Sequence, residues 1–137
     1  MERNSVLLAL NGVALILFAS LIGLALARAL HRGEVSEHWH LLHASGTSRG
    51  IMLLALSAAV EFSDLSVIGL AWAVGLVVFF AWTSVLAMFV RGLSGERGFH
   101  PGGSRTNKVV FYLYASGAIS LPVGLAWLLV GFWNALV

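Results

Sequence analysis

A histidine followed by small residues is the feature of this sequence best suited to chemistry. His43 begins the segment HASGTSRG (43–50), which continues into the apolar stretch 51–60. On an α-helix, Gly46 and Gly50 both lie within about 60° of His43 around the axis, so the histidine shares its face with almost no side chains. A neutral imidazole is a common ligand of haem iron and other transition metals. The pattern therefore suits a flat, bulky ligand held by one axial bond.

Two further side chains belong to this candidate site. Trp39 lies one helical turn before His43 and is placed to flank the same pocket. Arg49 lies about 240° from His43 around the helix, off the glycine face but near enough to swing towards an anionic group at the membrane surface. We predict that His43, Gly46, Gly50 and Trp39 bind a cofactor, with His43 as the metal ligand. Arg49 is the predicted catalytic residue.

Other interpretations of the same residues stay open. A histidine at a membrane edge is often only an interfacial hydrogen-bonding group, and Gly46-x-x-x-Gly50 is a small-xxx-small motif typical of helix packing. The spacing His38-x-His40-x-x-His43 is compatible with zinc ligation, although no carboxylate completes the set. No Ser-His-Asp arrangement, phosphate-binding loop or catalytic carboxylate pair stands out in the sequence.

The composition indicates an integral membrane protein. The 137 residues are 59% hydrophobic and 10% charged, with a mean hydropathy of +0.92, whereas soluble chains are about a quarter charged. We predict a single transmembrane domain over residues 1–137. Cysteine is absent, which excludes disulfides and thiolate metal sites. The basic residues lie in predicted loops, so we interpret them as topology signals and expect no nucleic-acid partner.

Four apolar stretches predict an all-α integral membrane bundle of four transmembrane helices. Their approximate bounds are 5–27, 43–62, 65–90 and 109–133. Stretches of about 20 residues cross roughly 30 Å of hydrocarbon as α-helices. The connections are too short for distant crossovers, which favours antiparallel neighbours.

The distribution of lysine and arginine predicts the orientation in the membrane. Seven of the eight lie between spans one and two, through the start of span two, or between spans three and four: Arg28, Arg32, Arg49, Arg91, Arg97, Arg105 and Lys108. Because such residues concentrate on the cytoplasmic side, this face is predicted to be cytoplasmic and both termini to lie outside. In a bacterium, the chain would be a multi-pass protein of the inner membrane, with the lipid bilayer around it.

The segment Trp39-x-x-x-His43-x-x-Gly46-x-x-x-Gly50-x-Met52 resembles the second-helix signature of a small family of four-span bacterial membrane isomerases. Its two branches are styrene oxide isomerase and hydroxylaminobenzene mutase. The opening Arg3-Asn4-Ser5, followed by Leu7-Leu8, looks like the start of mutase-type members. Arg91-Gly92-Leu93 looks like a turn of the epoxide branch. The resemblance covers most of the chain in layout and a limited set of positions in detail.

The resemblance implies a cofactor, an assembly and a reaction. In styrene oxide isomerase, the histidine that matches His43 ligates a haem b held between subunits of a trimer, and the ferric iron acts as a Lewis acid on the epoxide oxygen. Carried over, the chain would be a haem b-dependent isomerase and a homotrimer with His43 as axial ligand. Its substrate would be small, apolar and aromatic: an aryl epoxide giving an aldehyde or ketone, or a hydroxylaminoarene giving an aminophenol.

Two rivals come from other functional classes. One is a non-catalytic membrane protein for haem binding, sensing or electron transfer, in which His40 or His100 would be a second iron ligand. The other is a membrane assembly protein in which His43 is merely interfacial.

Two positions depart from the family pattern. The family usually has an asparagine just before the second glycine, where this chain has Arg49. The epoxide enzymes also place a tyrosine late in the third span, at the position that we match to Met88. Those side chains help to hold the substrate in the epoxide branch. The resemblance therefore supports the haem site more directly than it supports styrene oxide as the substrate.

Overall fold

The computed structural model describes residues 2–33 and 37–137, and this part of the chain is helical without strands. The helices are α1 (Glu2–His31), α2 (Glu37–Ala59), α3 (Val67–Ser94) and α4 (Arg105–Asn134), and a 3₁₀ turn (Val60–Phe62) ends α2. The prediction of an all-α fold with four long helices is confirmed.

The helices begin and end outside most of the predicted spans. α2 begins at Glu37, ahead of the predicted start at His43, and α4 begins at Arg105. Hydrophobicity marks only the part of a helix suited to hydrocarbon, whereas backbone hydrogen bonding continues into the polar flanks. His43 consequently lies in the second turn of α2 and not at its mouth, which corrects the predicted boundary.

Membrane-spanning character differs among the helices. In the described part of the chain, α1, α3 and α4 are long and apolar enough to cross a membrane. α2 is less apolar because its N-terminal part carries three histidines and several hydroxyl residues, and Arg49 follows near its middle. Three of the four predicted spans are therefore supported by length and composition, and α2 as a fourth span stays a prediction.

Small residues bring α1 and α2 into close antiparallel contact. A Cβ placed on Gly50 would lie 2.7 Å from the Gly12 carbonyl oxygen, and one on Gly46 would lie 3.0 Å from the Ala19 Cβ. Backbones approach this closely only where side chains are absent or small. The Gly46-x-x-x-Gly50 motif therefore joins α2 to α1, as the helix-packing interpretation holds.

Replacing Gly50 with alanine should destabilise the α1–α2 pair. The added Cβ would lie 2.5 Å from Ile16 Cγ1 as well as against the Gly12 backbone, so relief requires the helices to separate. We expect a loss of about 1–3 kcal/mol, typical of overpacking, seen as a lower Tm in detergent. Gly75→Ala is the matched control, because nothing lies within 4 Å of a Cβ there. An equal Tm for the two variants would contradict this packing.

α3 connects the α1–α2 pair to α4. It runs parallel to α1, because Trp82 Nε1 donates to Asn11 Oδ1 at 2.9 Å and Phe89 meets Phe18 edge to face with 5.9 Å between ring centroids. α4 packs antiparallel on α3 through glycines that contact α3 or the turn before it: Gly117, Gly124 and Gly131. Because α3 is the central helix, it has the largest set of buried residues.

Buried Asn107 orders the connection between α3 and α4. Its Oδ1 accepts from the Gly98 amide at 2.9 Å, and its Nδ2 donates to the His100 carbonyl at 2.9 Å and to the Gly102 carbonyl at 2.6 Å. The Ser104 hydroxyl caps α4 by accepting a hydrogen bond from the backbone N–H of Asn107 at 3.0 Å. One side chain thus satisfies three backbone groups of a glycine-rich segment.

Candidate functional site

The His43 imidazole lies against α1. Its Nδ1 is 2.7 Å from the carbonyl oxygen of Ala19. A carbonyl oxygen can only accept, so Nδ1 carries the hydrogen and donates it. The ring has room there because Gly23 lacks a side chain: a Cβ on Gly23 would lie 2.9 Å from both Nδ1 and Cε1 of the imidazole.

This hydrogen bond fixes the chemistry of the other ring nitrogen. In a neutral imidazole with hydrogen on Nδ1, Nε2 holds a free lone pair. Within the described residues, Nδ1 is the ring nitrogen that makes a hydrogen bond, and Nε2 makes none. Metal-bound histidines typically donate their second N–H to a carbonyl or carboxylate in this way, which orients the ring and raises its basicity. Nε2 is therefore the atom of this imidazole that could bind a metal.

The glycine face beside His43 is not open, contrary to our expectation. Gly46 and Gly50 are buried between α1 and α2. A helix face without side chains suits a neighbouring helix as well as a flat ligand, and α1 supplies complementary small residues at Gly12 and Ala19. In this arrangement, the two glycines serve His43 indirectly, because close packing brings the Ala19 carbonyl within reach of the imidazole.

Trp39 belongs to an aromatic cluster one turn from His43. Its ring meets Phe89 edge to face with 6.0 Å between centroids, and Phe89 also meets Phe18. The cluster joins α1, α2 and α3 next to the histidine. Trp39 is therefore near His43, as predicted, and partly buried against α3.

Arg49 lies near the middle of α2 and off the glycine face, as its helical angle predicted. It is one residue past the midpoint of α2, and its guanidinium carbon lies 5.3 Å from the centroid of the Phe80 ring on α3. His43 faces α1 instead. The structure thus does not bring Arg49 and His43 together on one side of α2, and the catalytic role of Arg49 stays a prediction.

The three histidines near the start of α2 point in different directions. His38 lies beside Gly92 of α3, where an added Cβ would be 3.8 Å from the His38 Cβ. His40 is exposed, whereas His43 faces α1. The described residues contain no group of three His, Cys, Asp or Glu side chains placed to hold a metal. The zinc interpretation therefore has no support in the structure. Haem ligation, which needs one imidazole, is a separate matter.

Two residues of the site were missed from the sequence alone. Ala19 provides the carbonyl that orients His43, and Gly23 provides the space for its ring. A signal for them exists, since Gly12, Ala19 and Gly23 are small residues spaced by seven and four positions on one helical face. That spacing complements the small residues of α2.

A known family profile covers all of the residues described above. The profile of the styrene oxide isomerase family matches residues 4–133. The chain belongs to this family. No curated protein and no solved structure gives a significant match. Membership in an isomerase family, together with three helices apolar enough to cross a membrane, identifies a membrane protein of isomerase type.

Proposed function

We propose that this styrene oxide isomerase family member is a membrane isomerase that uses haem b bound through His43 Nε2. The observation that carries the proposal is the hydrogen bond from His43 Nδ1 to the Ala19 carbonyl oxygen, 2.7 Å long. It leaves Nε2 as a free donor of electrons within a helical bundle. Family membership supports the isomerase class.

The chain's own residues would provide orientation and a dry environment. Ala19 and Gly23 seat the imidazole, and the aromatic cluster of Phe18, Trp39 and Phe89 lies about one helical turn from it. Haem iron bound there would supply a Lewis acid that draws electron density from the substrate oxygen. Exclusion of water strengthens such electrostatic effects and prevents hydrolysis of reactive species.

The proposed reaction is an intramolecular rearrangement without net redox change. The substrate is small, apolar and aromatic, so it partitions into the bilayer before binding. An aryl epoxide would become an aldehyde or ketone, and a hydroxylaminoarene would become an aminophenol. Each product has the same atoms as its substrate, so no electron donor or acceptor is consumed.

A turnover assay without reductant tests this proposal against the haem-carrier alternative. Purified protein in mild detergent is incubated separately with styrene oxide and phenylhydroxylamine, and products are quantified by chromatography. We expect one rearranged product in an amount equal to the substrate consumed, and no turnover by His43→Ala. Haem-loaded protein inactive on both substrates would favour electron transfer or haem binding alone.

We propose that α2 is a fourth span, with both chain termini outside the cytoplasm. The antiparallel pairing of α1 with α2 and of α3 with α4 returns the chain to its starting side. Six of the eight lysines and arginines, all but Arg3 and Arg49, lie at the opposite end. A reporter fused after Val137 should be active outside the cytoplasm. A second reporter inserted at Gly102, in the α3–α4 connection, should be active inside. A cytoplasmic C-terminus would invert the arrangement.

We propose a homotrimer, following the family resemblance. Helices are about 10–12 Å across, so a 14.6 kDa four-helix unit has little space for a haem once α1 covers the glycine face. A second subunit would provide the missing wall beside His43 Nε2. Mass measurement of the intact complex in detergent should give a trimer that loses haem when it dissociates. A monomer that retains haem and activity would refute this assembly.

A further inference from the structure

A groove runs along the side of α4 that faces away from α3. Around the helix axis, Lys108 and Ile119 lie about 180° and 200° from Gly117, the glycine that packs on α3. The groove has a volume of about 710 Å³, and its lining includes Lys108, Val109, Tyr112, Leu113, Ser116 and Ile119. Because this face lies opposite α3, it is open to the membrane.

The shape of this groove comes from the order of large and small residues on one helix. Ala115 and Ser116 are small, and they lie between the larger Tyr112 and Ile119. Tyr112 is held by its neighbour Phe111, whose ring it meets edge to face with 5.3 Å between centroids. The walls of the groove therefore belong to α4 itself and do not depend on a loop.

The length of the groove corresponds to one leaflet of a bilayer. From Lys108 to Ile119 the chain advances eleven residues, which is roughly 16 Å at about 1.5 Å per helical residue. The hydrocarbon core of a bilayer is about 30 Å thick, so this is close to half of it. Lys108 lies near the start of α4, and the groove consequently extends from the membrane surface to the middle of the membrane.

The surface end of the groove is positively charged. Lys108 lines it, and Arg105, three residues earlier on the same helix, is a neighbour on the helix surface. Residues 91–108 contain four lysines and arginines against one acidic residue, Glu96, whose carboxylate accepts from the Ser104 hydroxyl at 2.5 Å. A second groove further along α4 is lined by uncharged residues alone: Val123, Ala126, Trp127 and Val130. The first groove thus combines an apolar channel with cations at its mouth.

We propose that this groove binds one anionic phospholipid. The headgroup phosphate lies at Lys108 and Arg105, and one acyl chain runs along the groove to Ile119. A basic residue at the membrane surface attracts anionic lipids, and the apolar walls take up the chain. A zwitterionic lipid binds more weakly because it carries its own cation beside the phosphate. The site is separate from His43, which faces α1, and it does not depend on haem.

Mass measurement of the intact protein in mild detergent, with added phosphatidylglycerol or phosphatidylcholine, tests the charge. We expect one phosphatidylglycerol per chain, retained more strongly than phosphatidylcholine. Lys108→Gln should lower the affinity for phosphatidylglycerol about 5-fold and leave that for phosphatidylcholine unchanged. Arg28→Gln, which removes an exposed arginine at the end of α1, is the matched control and should bind like the unmodified protein. Equal losses in the two variants would indicate general charge attraction and overturn the proposal.

Filling the groove tests the acyl chain. Ala115→Leu places a larger side chain between Tyr112 and Ile119 and should lower the retention of both lipids. Ala126→Leu makes the same substitution in the uncharged second groove and should retain phosphatidylglycerol. Glycerol phosphate, which has the phosphate without the chains, should not displace the lipid. Displacement by glycerol phosphate, or full retention of lipid in Ala115→Leu, contradicts the site.

The same mass measurement separates a lipid from a second copy of the chain as the occupant. If the groove binds lipid, Ala115→Leu keeps the number of subunits found in the unmodified protein. A smaller number of subunits together with unchanged lipid retention would assign the groove to a neighbouring subunit and overturn the proposal. Lipid retention is measured without adding haem, so failure of the haem proposal leaves this result intact.

Discussion

Replacing His43 with alanine should remove haem from the purified protein. Its Nε2 is the proposed iron ligand. No other described histidine donates its Nδ1 hydrogen to a backbone carbonyl while its ring packs against a glycine. Loss of an outer-shell partner alone typically lowers metal affinity about 10–100-fold, so loss of the ligand itself should exceed that range. The measurement is the haem absorbance per mole of protein after purification in mild detergent.

The control for this substitution is His40→Ala, because His40 lies on the same helix and is exposed. It should keep full haem occupancy. Both variants should retain their helical circular dichroism, since the helices are held by backbone hydrogen bonds. Full haem occupancy in His43→Ala would show that the iron is bound elsewhere.

Replacing Gly23 with alanine should weaken haem binding although His43, the proposed iron ligand, is unchanged. The added Cβ would lie 2.9 Å from Nδ1 and Cε1 of His43, so the imidazole must turn or move away. Either movement stretches the hydrogen bond to Ala19. We expect haem affinity to fall by about 10–100-fold, the range typical of a lost outer-shell partner. Titration of haem into protein depleted of it measures the change.

Gly75→Ala is the control for Gly23→Ala, since it makes the same substitution in a helix where the added Cβ meets nothing within 4 Å. It should bind haem like the unmodified protein. Unchanged affinity in Gly23→Ala would mean that the contact with α1 does not orient the imidazole. The role assigned to the Ala19 carbonyl would then be wrong.

The helices were predictable from the sequence because each depends on a local pattern, and a local pattern also singles out His43. Long apolar stretches indicate helices in a membrane, and an imidazole among them is expensive enough to indicate a function. The exact ends of the helices were harder to predict from the sequence, because α2 begins at Glu37 in a polar segment that hydropathy does not mark. Its low apolarity also explains why the start of this span was placed at His43.

The surroundings of His43 depend on another helix, which a local pattern does not describe. The spacing of Gly46 and Gly50 gave a bare face but not its occupant, and α1 fills it. The contact from Ala19 to His43 joins residues 24 positions apart in sequence. Complementary small residues on two helices predict such packing only when the helices are compared with each other.

The contacts of Arg49 were not predictable from its charge for a related reason. Charge placed it at a membrane edge, where arginine is usually found. In the structure, the cation packs on Phe80, and Ser45 one turn earlier accepts from its Nη1. Such aromatic and intrahelical contacts allow a basic side chain to lie deeper than its charge alone predicts.

The absorption spectrum of the unmodified protein, purified in mild detergent and titrated with cyanide, shows directly whether it binds a haem whose iron can accept a further ligand. His43 would be the one protein ligand of a ferric haem b, with the opposite iron position open to substrate. We expect a Soret band that shifts as cyanide occupies that position. Absence of a Soret band would contradict haem binding, and a band that does not respond to cyanide would contradict the open site that an isomerase needs.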